Sequence, residues 1–166
     1  MSSLSQSRVR HFTSCSAGFL AVMALAGVAR AETPFLSLSG TWSGGGQVKF
    51  SGGSAESLRC RAYYTPKDTG QSLGLSIRCA SQSNKIELRA NLNYEGGKVT
   101  GSWEERTFNA AGKVTGQASV GKISLSINGG GFNGSMSVGT TGSQQTVVIQ
   151  TDGIGLQSVN INLSRG

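Results

Sequence analysis

Histidine is nearly absent from this 166-residue chain, proline is scarce and acids are few: one His, two Pro, and eight Asp and Glu together. The single histidine, His11, stands with Arg8 and Arg10 ahead of the apolar run Ala17–Ala29. That run falls short of the ~20 residues a membrane-spanning helix needs. Ala29-Arg30-Ala31 follows, with small residues at the two positions that determine cleavage. This order predicts a secretory signal over residues 1–31, cut after Ala31, with an uncleaved membrane anchor as the alternative. Cleavage removes His11, and with it any Ser-His-Asp or Cys-His machinery and any histidine-ligated zinc site. No cofactor and no metal site are expected, and no transmembrane span in the mature chain, 32–166.

Cleavage also removes Cys15 and leaves two cysteines, Cys60 and Cys79. In a periplasmic or secreted protein, an even count predicts a disulfide. Closing that loop is worth roughly 3 kcal/mol by the chain-entropy relation. Three arginines leave with the signal, so fifteen basic residues become twelve against eight acids, a net charge of +4. The charge is mild and sits on no helix, so nucleic acid is not an expected partner.

The mature chain shows no helical period. The full chain has 25 glycines, and those beyond residue 31 fall between alternating apolar runs, where hairpins need them. The clearest stretch is Leu58–Ser81: Cys60, Ala62 and Tyr64 alternate with Arg59, Arg61 and Tyr63, and Leu75, Ile77 and Cys79 alternate beyond Pro66, Asp68 and Gly70. With Cys60 opposite Cys79, Ala62 meets Ile77 and Tyr64 meets Leu75 on one face, while Arg61 meets Arg78 on the other. The same register logic puts a first strand over Leu36–Phe50, with Val48 opposite Leu58 and Trp42 opposite Tyr64. Further on it pairs Cys79 with Ile86, Arg78 with Glu87, Ala90 with Trp103 and Arg89 with Glu104. Glu95-Gly96-Gly97-Lys98 is the strongest hairpin signal. Later turns are expected at 109–112, 120–121, 129–130, 141–142 and 152–153, pairing Ala118 with Ile123, Ile127 with Phe132 and Met136 with Val147. A bulge near Gly155 absorbs a change of phase before Val159, Ile161 and Leu163.

Ten strands in an uninterrupted meander predict an all-β fold: an antiparallel up-and-down barrel, with a two-sheet β-sandwich as the alternative. Arg59, Arg61, Arg78, Glu87, Arg89 and Glu104 fall on the outer face. The apolar face therefore points inward, and the barrel is a soluble one, not a membrane barrel.

Only one acid, Glu105, falls on the inner face, whereas a carboxylate-pair glycosidase needs two; an enzyme is not expected. Trp42, Tyr64 and Trp103 share one inner layer, and Glu105 lies in a neighbouring layer with Gly44, Gly116 and Gly134. These small residues fit either the taper of a filled barrel or a cavity anchored by Glu105. With no inward basic partner, Glu105→Gln is expected to leave the fold intact. The row Arg59, Arg61 and Arg78 is either an ordinary solvated face or a seat for an anionic partner such as an envelope polymer.

Gly40-Thr41-Trp42 on the first strand resembles the Gly-x-Trp of the calycin group, the lipocalins and avidins. That resemblance implies a tryptophan packed at the closed end or in the ligand pocket of the barrel. The chain departs from the lipocalins in lacking a C-terminal helix and a later partner motif. It is also similar to small exported proteins of Gram-negative bacteria. The expected function is an exported, non-enzymatic barrel that binds a small apolar or amphipathic ligand. The alternative is an envelope-associated or inhibitor-type protein acting through its charged outer surface.

Overall fold

The computed structural model describes residues 33–166, apart from Ile154 and the side chain of Phe132. The segment read as a signal peptide lies outside the described residues. Ten strands follow a short 3-10 turn at Leu36–Leu38: β1 (Gly40–Phe50), β2 (Ala55–Lys67), β3 (Ser72–Ala80), β4 (Lys85–Glu95), β5 (Lys98–Glu105), β6 (Ala110–Ser119), β7 (Lys122–Gly129), β8 (Phe132–Thr141), β9 (Gln144–Asp152) and β10 (Leu156–Arg165). Each pairs with its sequence neighbours, and β1 closes on β10. The sheet is thus one continuous antiparallel barrel without a free edge, and the two-sheet alternative falls away. Leu36 is turn, not strand; β1 begins four residues later than expected.

Side chains alternate strictly, so inward positions form one apolar core from Trp42 to Leu163 while outward positions stay polar. The registers of β2 with β3, β3 with β4 and β4 with β5 are as read from sequence, including Cys60 opposite Cys79 and Ala90 opposite Trp103. The β6–β7 register, with Ala118 opposite Ile123, is also as read. Between β1 and β2, β5 and β6, β7 and β8, and β8 and β9 the pairings shift by even numbers of residues, which moves partners along the strand and keeps every side chain on its face. Trp42 pairs with Ala62 and Gly46 with Leu58, because the β1–β2 turn closes through Phe50 and Ser54. The β5–β6 turn lies at 106–109, so Trp103 meets Gly112 and not the layer of Ala118. Ile127 meets Gly134, and Met136 meets Ile149. The β7–β8 turn uses Gly130 and Gly131, both at positive φ (62° and 83°), as a two-residue hairpin requires. The bulge falls at Gln157, two residues after Gly155: Lys49 faces Ser158 and Phe50 faces Leu156.

The inward glycines answer to the backbone. A Cβ on Gly46 would lie 1.8 Å from the Asn160 carbonyl oxygen, and one on Gly112 would lie 1.8 Å from that of Asn128. Gly44, Gly116 and Gly134 meet neighbouring carbonyls in the same way. These are bends where strands approach closely, so the small residues expected to line a cavity serve the closure of the barrel.

Candidate ligand-binding lumen

The two ends of the barrel are built differently. At the end where β1 begins, residues 33–39 cross the lumen and seal it. Phe35 and Pro34 are wholly buried, and Phe35 packs edge-on against Tyr94 with ring centroids 6.0 Å apart. The crossing segment is tied to the β2–β3 turn, where the Thr33 hydroxyl donates to the Thr69 carbonyl. Gly70 lets that approach happen, since a Cβ there would meet Thr33 Oγ1 at 2.1 Å.

Trp42 lies under this segment, fully buried, its indole N–H donating to the Leu38 carbonyl at 2.7 Å. Arg165, near the end of β10, stacks its guanidinium 4.3 Å from the Trp42 ring centroid and also donates to the Ser37 and Ser39 carbonyls. Tyr64 donates to Gln145 Oε1 at 2.8 Å, and the Gln145 amide donates on to Thr140. Burial pushes the Tyr64 hydroxyl well above its ordinary pKa, and the Gln145 bond only partly offsets this. Trp42 and Tyr64 are therefore plug and packing at the closed end, with their polar atoms satisfied. Arg165 is the later partner of Trp42 that sequence reasoning missed. A cation beside the C-terminus gives no local signal of the ring it will cover.

At the opposite end the lining changes. Phe50, Ile86, Leu88, Ala110, Ile127, Ile149 and Leu156 all point inward near the rim, and all are only partly buried. Phe108, in the β5–β6 turn at the same rim, is 64 % exposed. Trp103 sits two residues before β5 ends here, its indole N–H directed to the Asn128 carbonyl at 3.4 Å. The Cys60–Cys79 disulfide braces β2 against β3 in this half.

Glu105 faces inward and is buried, as its place in the register predicts. Its carboxylate is fully engaged: Oε1 accepts from the Glu87 and Thr107 amides at 2.9 and 3.1 Å, and Oε2 accepts from the Phe108 amide at 2.7 Å. The acid builds the 106–109 turn and fastens it to β4. No charge partner is needed, because backbone donors take that place. Trp42, Tyr64, Trp103 and Glu105 thus do not converge on one site. The first two belong to the closed end and the last two to the rim.

Outside the rim, Glu87 gathers Arg89, Arg78 and Arg106 at 2.8, 3.5 and 3.7 Å. The Arg89 bond, then the surrounding guanidinium charges, hold the Glu87 carboxyl below its ordinary range despite some opposing desolvation. Arg89 pairs with Glu87 two residues away on its own strand, although Glu104 stands opposite it in register. Arg59 and Arg61 remain exposed on the same wall.

No family model matches the chain, and no curated protein matches it in sequence. Among solved structures, it is similar to Rv2717c from M. tuberculosis, with a TM-score of 0.66 and 15 % identity, covering 81 % of this chain and 98 % of that one. It is also similar to the S-type phycobiliprotein lyase CPES from Guillardia theta, with a TM-score of 0.53 and 15 % identity over 80 % of this chain and 90 % of that one. At such identity the likeness is one of fold, and it agrees with the calycin-like barrel that Gly40-Thr41-Trp42 suggested.

Proposed function

We propose that this protein is an exported, non-enzymatic binding barrel that admits a small apolar or amphipathic ligand through the rim opposite the 33–39 plug. The observation that carries the reading is the ring of seven inward apolar side chains left partly exposed at that rim, while at the other end the inward apolar side chains, Tyr94 excepted, are mostly buried. Apolar surface held open to water inside a concave wall is stabilised by an apolar occupant, at about 25 cal/mol per Å² covered. Phe108 extends this surface outward, and Trp103 stands within the same half.

The non-enzymatic reading is supported by the chemistry of the rim. Its buried carboxylate, Glu105, spends both oxygens on backbone amides and is not placed to move a proton. Export is supported by the disulfide, which persists in oxidising compartments. A barrel of this fold also forms the neighbour named as an S-type phycobiliprotein lyase, which is consistent with a lumen used for binding.

The test is titration with the dye 1-anilinonaphthalene-8-sulfonate, read by its fluorescence and by quenching of tryptophan. Saturable binding is expected, weakened about tenfold or more by Ile127→Glu, which places a charge in the rim. The closed-end variant Leu38→Ala should retain it. Equal binding by the Ile127→Glu protein would remove the rim from the account.

A further inference from the structure

The outer wall of the barrel carries a second, separate feature. Outward positions on β2–β6 include Arg59, Arg61, Lys67, Arg78, Arg89 and Lys113 against Glu87, Glu95 and Glu104, whereas those on β7–β10 carry Lys122 and Asp152 among neutral residues such as Ser124, Ser137, Thr146, Gln150 and Asn162. The charge that looks scattered along the chain is gathered by the meander onto one side.

Within that side the wall is hollow. A concavity of about 740 Å³ includes Tyr63, Lys67, Gly74, Arg89 and Glu104 in its lining, and a second of about 460 Å³ includes Asn93, Thr100 and Lys113. The two share Asn91 and Ser102, so they form one groove across β2–β6. The register explains the shape. Thr65, Gly74, Asn91, Ser102 and Lys113 lie side by side on five successive strands, a low central row. Taller side chains, Tyr63 and Arg89 on one flank and Lys67 on the other, raise its margins.

Two observations set this groove apart from ordinary surface. Gly74 is a strand glycine with no backbone reason to be one: its φ is not positive, and a Cβ there would meet nothing closer than 3.8 Å. A strand interior is weakened by glycine, and what its absent side chain leaves is the floor of the groove. The Arg89 Nε–H is buried at the same place and has no partner among the described residues. A buried donor without an acceptor is costly, and a shift of the partly exposed Arg89 side chain toward a ligand would relieve it.

We propose that this groove binds an acidic oligosaccharide, as a site distinct from the lumen. The barrel has no free edge, so an extended peptide cannot add as a strand. What the groove offers is side-chain chemistry. The Asn91 and Asn93 carboxamides and the Thr65 and Ser102 hydroxyls present closely spaced donors and acceptors that match vicinal hydroxyls. Asn93 already accepts from Ser72 at 3.1 Å through Oδ1, which leaves its amide hydrogens directed to a ligand. Tyr63, 37 % exposed at the margin, supplies a flat apolar face for the C–H side of a sugar ring. Lys67 and Lys113 against the one acid in the lining, Glu104, select a negative chain, and Arg89, bonded to Glu87 yet 42 % exposed, adds a guanidinium that matches a carboxylate.

The experiment is isothermal titration of the native protein with hexagalacturonate, beside a poly-glutamate of equal charge and a neutral hexaose. Hexagalacturonate is expected to bind most tightly, with affinity falling as salt rises. Gly74→Leu, which fills the floor without backbone strain, should weaken it about tenfold or more at unchanged melting temperature. Ser102→Leu is the second variant should the first not fold, and Lys122→Gln on the opposite wall should have no effect. No binding of hexagalacturonate, equal binding of poly-glutamate or of the neutral sugar, or undiminished binding by the filled variants would each overturn the proposal. Dye binding in the lumen is read independently, so the two sites fail separately.

Discussion

The closed end and the open rim of this barrel use the same kind of strands and reach opposite results. At the closed end every polar atom brought inside has a partner. The Trp42 indole bonds Leu38, Tyr64 bonds Gln145, and Arg165 caps the ring and two carbonyls at once. Burial there is deeper because a separate segment, 33–39, supplies surface that strands alone cannot, through Pro34, Phe35 and Leu38. At the rim no segment crosses among the described residues, and the inward apolar side chains keep part of their surface accessible. The polar investment at the rim goes into the loops, through Glu105 and Glu87, and shapes the opening without filling it. Burial is thus concentrated at one end, and partly exposed apolar surface at the other.

The largest effect should come from attacking the closed end. Trp42→Ala removes a wholly buried ring and leaves Arg165 without its aromatic face, a loss of about 3–5 kcal/mol. Ile127→Ala at the rim, where the side chain is only half-buried, should cost about 1–2 kcal/mol. Urea unfolding of the two variants checks the ratio; equal losses would mean that the ends are equally packed.

The next effect belongs to Glu105. Its substitution by glutamine replaces one acceptor oxygen with an NH2 donor that faces backbone amide donors, and should destabilise the protein by about 1–3 kcal/mol. This reverses the expectation from sequence, where an inward acid without a basic partner looked dispensable. Glu104→Gln, on the outer face, should change stability by less than about 1 kcal/mol. Melting curves at neutral pH separate them, and matching profiles would place Glu105 outside the framework of the rim.

The smallest effect concerns Glu87, which ties the Arg106 loop from outside. Its folded pKa is depressed, so the stability it contributes is present above the ordinary carboxylate value of 4.5 and lost as pH falls through the lower folded value. The melting-temperature difference between wild type and Glu87→Gln should therefore be small, constant from pH 6 to 8, and vanish in acid. A difference that persists at low pH would show that packing, and not charge, links Glu87 to the rim.

Much of this architecture was legible in the chain because side-chain parity survives errors of register. The β5–β6 turn lies three residues from where Asn109 and Gly112 suggested, yet Trp103, Val114 and Ala118 all remain inside, because the pairing shift is even. The turn was misplaced because a carboxylate builds it, and Glu105 carries no turn signal of its own. Likewise Arg78, Glu87 and Arg89 were readable as neighbours, but which pair bonds depends on side-chain reach within one strand. The plug was hidden for another reason: Phe35, Leu36 and Leu38 read as the start of a strand until a lumen exists for Phe35 to fill.

The difference between the ends is tested most directly by methyl NMR of the native protein during titration with lauric acid. The account predicts progressive shifts in the methyls of Ile86, Leu88, Ile127, Ile149 and Leu156, while those of Leu38, Leu73, Val99 and Leu163 stay fixed. Shifts confined to the closed-end methyls, or a spectrum that does not respond, would contradict it.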